Sequence, residues 1–224
     1  MIKNIVNLGD ASIYCDFGNE INKKTNSQVI KYFRTLQVKK IRGITNITPS
    51  YNKLIITFNL NQINFNDLKK IILNLNIDYK EKPINKKIKI PICCDDEFGL
   101  DFNRLEIKLK ISKNNIINNF LNKIYYCYMT GFIAGMPFLG DISNLIRLDR
   151  LETPRVKVPK GSIGLTEQFC NIYTFESPGG WNIIGRTPTK IFNINNINKP
   201  TLINPGDEVL FYEINKNEYL KYDE

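Results

Sequence analysis

Six consecutive residues with the sequence ESPGGW combine side chains that could bind or transform a small molecule. Glu176 and Ser177 supply a carboxylate and a hydroxyl, and Trp181, the only tryptophan, supplies a flat face and one N–H donor. Gly179 and Gly180 have no side chains, so a ligand or another stretch of backbone can approach them closely. The same pattern is typical of a β-turn beside a core tryptophan, and the residue types leave both interpretations open.

Two arginines near this stretch are candidates for binding an anion. Arg186 is followed by Thr187 in the sequence GRTP, and its planar guanidinium can grip a carboxylate or a phosphate. Arg155 and Lys157 alternate with valines, so both cations share one face if this segment is a strand. The alternatives are a structural ion pair for Arg186 and a solvated edge strand for Arg155.

The chain contains no histidine, and this excludes several kinds of chemistry. A Ser-His-Asp triad, a Cys–His dyad and a histidine-ligated metal cannot form, so proton transfer must use Asp, Glu, Lys, Tyr, Cys or water. Ser162 follows Gly161 and could act as a nucleophile only with a lysine as its base. No GxxxxGK[ST] sequence occurs, so any nucleotide site is not a P-loop.

The cysteines and the apolar runs indicate where the protein works. Five cysteines, two of them adjacent, do not form the pattern of a disulfide framework, and no CxxC pair supports a zinc site. We therefore expect reduced thiols and no bound metal. The N-terminus lacks the apolar run of a signal peptide, and no segment approaches the roughly 18 apolar residues of a membrane span. The expected compartment is the cytoplasm.

The net charge of +9 meets a usual first criterion for nucleic-acid binding. The lysines are scattered rather than arranged in a stripe, and abundant Lys, Asn and Ile are typical of AT-rich codons. We therefore do not expect nucleic acid as a partner.

The first 80 residues predict alternating strands and helices. In order, the predicted elements are a strand at 3–8 or 12–16, a helix capped by Ser27, strands at 43–48 and 53–59, a helix capped by Asn66 or Asp67, and a strand at 77–79. This β-α-β-β-α-β order is typical of ferredoxin-like domains. A polar segment with Pro83 follows, so the predicted domains are 1–84 and 85–224.

The second domain begins with a predicted strand at 88–93, a helix near 101–109 and another helix after Ser112. From Tyr125 onward, short apolar runs alternate with glycine and proline. Many short strands with regular turns are typical of a β-barrel or a β-sandwich.

Three stretches of this domain carry a resemblance to a known family: GFIAGMPFLG at 131–140, TPRVKVPKGSIG at 153–164 and ESPGGWNIIGRTP at 176–188. In this order and spacing they resemble the family of the 5-oxoprolinase B-subunit (PxpB), the sporulation-kinase inhibitor KipI, and the subunit 1 region of allophanate hydrolase and urea carboxylase. Shorter matches extend to both ends: LGDA from Leu8, FG from Phe17 and PSYN from Pro49 in the first domain, and NPGD from Asn204 near the C-terminus.

The resemblance implies a fold and a function. The implied fold is an α+β, ferredoxin-like N-terminal domain followed by an all-β, cyclophilin-like barrel. The implied function is that of one subunit of an ATP-dependent hydrolase that converts 5-oxo-L-proline to L-glutamate. ATP, accompanied by magnesium, would be shared with the partner subunits. The implied partners are the 5-oxoprolinase C-subunit or a KipA-type protein, in a heteromer, and a third subunit.

The resemblance also implies where the ligands bind, in a cleft of the barrel. Its lining would be Arg155, Ser162, Glu176, Trp181 and Arg186, with Tyr173, Ser177, Gly179, Gly180 and Thr187 as further binding positions. Arg155 and Arg186 would hold a carboxylate or a phosphate. Glu176 would orient the substrate or transfer a proton, and Ser162 is the second catalytic candidate.

The chain departs from the family pattern at several positions. Where the family usually has a histidine before its first motif, an ungapped count reaches Phe120. Ala134 and Met136 replace a proline and a phenylalanine, and residues 167–171 differ throughout. These departures leave two alternatives open. One is a KipI-like protein that restrains a histidine kinase without catalysis, and the other is a degenerate carboxylase component.

Overall fold

The computed structural model describes residues 2–77 and 85–222. The chain forms two compact units, Met1–Ile84 and Asn85–Glu224, here named the first and the second unit. All five cysteines are free and buried. None of the helices in the described residues is long and apolar enough to cross a membrane.

The first unit contains one antiparallel sheet and two helices. Its elements are β1 (Asn4–Asn7), β2 (Ser12–Asp16), α1 (Lys23–Lys39), β3 (Ile44–Ser50), β4 (Lys53–Phe58) and α2 (Phe65–Leu73). The strand order is β1-β2-β4-β3. Inward-facing residues of β2 and β4, such as Ile13 and Leu54, pack against Val29 and Leu36 of α1 and Leu68 of α2.

Both helices of the first unit begin earlier than the sequence predicts. The side chain of Asn22, not Ser27, caps α1 by accepting a hydrogen bond from the Thr25 N–H at 2.9 Å. Ser27 lies inside the helix, where its hydroxyl donates to the Lys24 carbonyl. Asn64 caps α2 in the same way. Asparagine is a strong cap because its side-chain oxygen reaches an N–H that the helix leaves free.

The sheet of the first unit departs from the predicted strand order at one edge. Strands appear at both of the alternative positions, and β1 and β2 form a hairpin. Consequently β1 occupies the outer position beside β2, where the last strand of a ferredoxin-like domain would pair. The strand predicted at 77–79 falls mostly outside the described residues. The ferredoxin-like arrangement therefore stays a prediction.

Two pieces of the family pattern meet at the end of the β3–β4 hairpin. The Asn52 side chain donates to the Gly18 carbonyl at 2.6 Å, and the Phe17 N–H donates to the Asn52 carbonyl at 3.1 Å. Lys53 donates to the same Gly18 carbonyl and also pairs with Asp16. These bonds give the FG and PSYN sequences a structural role within the first unit.

The second unit is built on a seven-stranded sheet. Its elements are β5 (Lys87–Ile92), α3 (Phe102–Leu109), α4 (Lys113–Leu121), β6 (Ile124–Thr130), β7 (Pro137–Gly140), β8 (Arg155–Val158), β9 (Ser162–Thr166), β10 (Phe169–Ile172), β11 (Ser177–Gly179), β12 (Asn182–Arg186), β13 (Glu208–Glu213) and α5 (Lys216–Leu220). The order in the large sheet is β12-β9-β10-β7-β6-β13-β5, and β8 pairs separately with β11. Neighbouring strands are antiparallel except β13 and β5.

The large sheet curls until its two edge strands meet. Cys93, directly after β5, bridges Arg186 at the end of β12 through reciprocal backbone hydrogen bonds of 2.9 and 3.0 Å. A side chain at Gly185 would stand 2.6 Å from the Cys93 carbonyl oxygen, so this seam requires glycine. The result is a half-barrel closed at one end, in line with the barrel that the sequence predicts.

The all-β description of the second unit was wrong, because helices complete its core. Phe102 and Leu105 of α3 are buried in the same cluster as barrel residues. On α4, which Ser112 caps as predicted, Phe120 stacks against Tyr125 of β6 and Phe211 of β13. Residues of α3 and α4 therefore share one apolar core with the strands of the half-barrel. Phe120 is therefore a core residue.

Candidate functional site

Arg155 is held in place by a buried carboxylate that the sequence analysis did not single out. Its Nη2 donates to Oδ1 of Asp101 at 2.6 Å, and Oδ2 of Asp101 accepts the Ile183 N–H at 2.6 Å. Asp101 is only 5% exposed. It precedes α3, where an aspartate would be interpreted as a helix cap, yet it makes no capping hydrogen bond. Only the tertiary contacts reveal its role.

One nitrogen of the Arg155 guanidinium is not used by Asp101. Nη1 is buried and has no hydrogen-bond partner among the described residues. A buried donor without a partner costs about 1–3 kcal/mol, which a bound water or an anion would recover. Opposite Arg155 on β11 stands Gly179, its register partner in the small sheet.

Tyr173 lies beside this arginine and is almost fully buried. Burial raises the pKa of its phenol, while the Asn171 side chain, the backbone N–H of Trp181 and the charge of Arg155 act in the opposite direction. The phenol therefore stays protonated at neutral pH and can donate a hydrogen bond. A side chain at Gly179 would collide with the Tyr173 hydroxyl. Close approach of this phenol explains the first glycine of the ESPGGW sequence.

Trp181 borders the same region without being a core tryptophan. It is half-buried, and its ring meets Phe138 edge to face at a centroid distance of 5.5 Å. Gly180 is buried, and its carbonyl accepts the Leu151 N–H at 2.7 Å. The structure thus brings Arg155, Tyr173, Gly179 and Trp181 together around one corner, here named the Arg155 corner.

The two catalytic candidates have different surroundings. Glu176 is exposed and forms an ion pair with Lys157 at 3.2 Å, so these two side chains share the outer face of the β8–β11 ribbon. Ser162 is fully buried, and its Oγ has no hydrogen-bond partner within residues 2–77 and 85–222. Its carbonyl accepts the Tyr173 N–H at 2.9 Å. The hydroxyl of Ser177 is likewise buried and unpartnered in the described part of the chain.

Arg186 has a different set of neighbours from Arg155. Its guanidinium carbon lies 5.2 Å from the centroid of the Phe98 ring, and the Tyr219 phenol is close to it. The next residue, Thr187, is buried and donates its N–H to the Gly161 carbonyl at 2.9 Å. Gly161 has a φ of +81° and contacts the Thr187 backbone, so glycine is required there.

The segment that departs from the family pattern forms a hairpin. Residues 167–168 connect β9 to β10, and Glu167 has a positive φ of 47°. Asn171 on β10 is fully buried, and its Oδ1 accepts the Gly164 N–H at 3.2 Å. The altered segment therefore keeps a buried polar side chain, and this side chain also interacts with the Tyr173 phenol. The sequence motif did not indicate either contact.

The chain belongs to the family described as the carboxyltransferase domain, subdomain C and D, whose model matches residues 3–203. It is 30% identical over 235 residues to the 5-oxoprolinase B-subunit of Bacillus subtilis, covering 98% of this chain and 96% of that protein. It is also 30% identical to the 5-oxoprolinase B-subunit of Haemophilus influenzae, covering 93% and 96%. This confirms the family that the sequence motifs indicate.

More distant similarity extends to larger proteins. The chain is 23% identical to the urea amidolyase of Saccharomyces cerevisiae, covering 96% of this chain and 13% of that protein. Among solved structures, the protein TTHA0988 matches with a TM-score of 0.82 and 25% identity, covering 91% of this chain and 40% of that one. The urea carboxylase of Kluyveromyces lactis matches with a TM-score of 0.74 and 18% identity, covering 96% and 22%.

Proposed function

We propose that this chain is the B-subunit of an ATP-dependent 5-oxoprolinase-type hydrolase, which converts 5-oxo-L-proline to L-glutamate. The observation that carries the proposal is the Arg155 corner: a guanidinium fixed by Asp101, with one buried nitrogen free, beside a buried phenol donor. Relatives named as 5-oxoprolinase B-subunits, aligned over almost the whole chain, support the choice of substrate.

The substrate is a cyclic amide that carries a carboxylate. In our proposal the free half of the Arg155 guanidinium binds this carboxylate, because a planar pair of N–H donors matches two carboxylate oxygens. The Tyr173 phenol donates to a substrate oxygen, and the Trp181 ring forms an apolar wall against the lactam ring. These three residues would position the substrate rather than break its bond.

A lactam carbonyl is a poor electrophile, and ATP would supply its activation by phosphorylation. In our proposal magnesium is held by the nucleotide phosphates and by partner subunits. In the part of the chain that the structure describes, no group of three acidic or cysteine side chains could hold a metal ion. Glu176, exposed on the outer face, would act as acid or base only where a partner completes the site.

The proposed assembly contains a 5-oxoprolinase C-subunit or a KipA-type protein, together with a third subunit. The support is the word subunit in the names of the Bacillus and Haemophilus relatives, which describes those proteins. We place the assembly in the cytoplasm, because five free, buried thiols are typical of a reducing compartment.

The test is to co-express the chain with candidate subunits and to measure ATP-dependent release of glutamate from 5-oxoproline. Arg155→Ala should lower kcat/KM by tenfold or more, since a hydrogen bond to a charged group contributes about 1.5–3 kcal/mol. Arg150→Ala is the matched control, because Arg150 is an exposed arginine of the same unit. Wild-type turnover in Arg155→Ala, or an equal loss in Arg150→Ala, would rule out the proposed role.

A second candidate function is a KipI-like inhibitor of a histidine kinase. The observation that favours it is that the two catalytic candidates are not assembled, since Glu176 is paired with Lys157 and Ser162 is buried without a hydrogen-bond partner in the described residues. Capture of a purified histidine kinase, together with no 5-oxoproline turnover in the co-expressed assembly, would favour this candidate. A carboxylase component, suggested by the urea amidolyase relative, would instead show biotin-dependent carboxyl transfer.

A further inference from the structure

Arg186 is a cation without an acidic partner in the described part of the chain. Its guanidinium rests on the Phe98 ring, which stacks on Tyr219 at a centroid distance of 4.5 Å. Its Nε is buried and unpartnered within the same residues. Both of its backbone hydrogen bonds go to Cys93, so the residue is rigidly placed. A partly desolvated guanidinium without a counterion favours binding of an anion.

A pocket of about 250 Å³ lies next to this arginine. Arg186 does not line it, but Thr187 and Tyr219 do: Thr187 follows Arg186 in the chain, and the Tyr219 phenol contacts its side chain. The polar lining of the pocket includes the exposed Lys160, Tyr219 and Thr189, whose buried Oγ1 has no partner in residues 2–77 and 85–222. The lining also includes Gly161 and Thr187, whose backbones are joined by the hydrogen bond from the Thr187 N–H to the Gly161 carbonyl. No acidic residue appears among its described lining residues.

The size and chemistry of this pocket restrict its ligand. Pockets for whole drug-sized molecules measure about 300–1,000 Å³, so this smaller one suits a small ligand or one group of a larger ligand. Lys160 and the hydroxyls of Thr189 and Tyr219 line the pocket, and Arg186 adds positive charge behind Tyr219. A phosphoryl group, with three terminal oxygens and up to two negative charges, uses this set of donors and charges more fully than a carboxylate does. The Arg155 corner, with half a guanidinium free, matches a carboxylate better.

We propose that the pocket lined by Lys160, Thr189 and Tyr219, with Arg186 directly behind Tyr219, binds a phosphoryl group. This pocket is separate from the Arg155 corner, because the two arginines have different neighbours. Binding of the phosphoryl group stands on the pocket alone. Its place in an ATP-dependent reaction rests on the proposed function, where it would hold a phosphate of the nucleotide or of the activated substrate.

Calorimetric titration of the full chain with inorganic phosphate tests the proposal. Wild type should bind one phosphate per chain. Lys160→Ala should weaken binding about tenfold, because it removes a charge-assisted contact. Arg186→Lys should weaken it severalfold, because the planar guanidinium that contacts the Tyr219 phenol is lost. Thr189→Val keeps the shape of the side chain and should weaken binding severalfold. Lys108→Ala, an exposed lysine on α3, is the matched control and should bind as wild type does.

Absence of phosphate binding by wild type would overturn the proposal, and so would unchanged binding in all three pocket variants or an equal loss in Lys108→Ala. Circular dichroism establishes that each variant is folded.

A competition experiment distinguishes the possible sources of the phosphoryl group. Displacement of phosphate by magnesium–ATP identifies a nucleotide, and absence of displacement identifies free phosphate or a phosphorylated substrate. Phosphate binding without 5-oxoproline turnover by the assembly would support the phosphoryl pocket and contradict only the proposed function.

Discussion

At the residue scale, the two arginines differ in how their charge is balanced. Asp101 binds Arg155 with one oxygen and the backbone of β12 with the other, so the same carboxylate fixes both the guanidinium and the strand that follows Trp181. Arg186 instead rests on aromatic rings. A paired guanidinium is oriented before any ligand arrives, and this reduces the entropy lost on binding.

Asp101→Asn should damage this arrangement while preserving its shape. Loss of the charge leaves Arg155 without its partner and weakens the bond to Ile183, so we expect a loss of about 2 kcal/mol in the free energy of unfolding. The measurement is urea unfolding followed by fluorescence of Trp181, the single tryptophan. Asp149→Asn is the control, because that aspartate is exposed. An Asp101→Asn protein as stable as this control would contradict the clamping role.

The two consecutive glycines at 179 and 180 should differ in their tolerance of a side chain. Gly179→Ala forces a methyl group into the Tyr173 phenol, whereas the nearest atoms to a methyl at Gly180 stand 3.5 Å away. We expect Gly179→Ala to lower the free energy of unfolding by about 1–3 kcal/mol. Gly180→Ala should be close to neutral. Equal effects in the same fluorescence-detected unfolding would show that Tyr173 does not approach Gly179 as described.

At the element scale, capping residues decide where the helices of the first unit start. Asn22→Ala removes the side-chain acceptor for the Thr25 N–H and should cost about 1 kcal/mol. Ser27→Ala, at the position that the sequence predicts as the cap, should cost less, because Ser27 lies within α1. Thermal unfolding followed by circular dichroism compares the two. A larger loss of stability in Ser27→Ala than in Asn22→Ala would favour the helix start that the sequence predicts at Ser27.

At the scale of the whole molecule, burial of all five thiols makes stability sensitive to alkaline pH. Burial raises the pKa of Cys15 to about 12, and an unfolded thiol has a pKa of about 8.5. The folded state keeps the Cys15 proton at a pH where the unfolded state has lost it. The contribution of Cys15 to the free energy of unfolding is therefore complete below pH ~8.5 and declines as the pH rises toward the pKa of the folded state.

The free energy of unfolding of the wild type should therefore fall between pH 8 and pH 10. Each buried thiol with a raised pKa lowers it by up to ~1.4 kcal/mol per pH unit above the pKa of the unfolded thiol. Cys15→Ala should show a smaller loss over the same interval, because it lacks one of these groups. Urea unfolding at both pH values, followed by circular dichroism, measures the difference. An identical pH dependence in both proteins would contradict the raised pKa of Cys15.

The sequence by itself determined the family and the first strand and first two helices of the second unit. The motifs around Gly131, Arg155 and Glu176 identified the carboxyltransferase relationship, and apolar spacing with Ser112 located α3 and α4. Such features are local, because turns, caps and helical periodicity depend on residues a few positions apart. Helix starts at Asn22 and Asn64 were missed, although the same capping chemistry operates there, because several polar residues compete at each helix start.

Only the tertiary structure decided which candidates share a site. Arg155 meets Asp101 across 54 positions of sequence, and Asp101 meets Ile183 across 82, so no local pattern links them. The same folding placed Arg186 beside Phe98 and Tyr219, buried Ser162 and left Glu176 exposed. The physical reason is that residue types and spacing specify strands and turns, whereas the curl of the sheet determines which distant side chains lie within hydrogen-bonding distance.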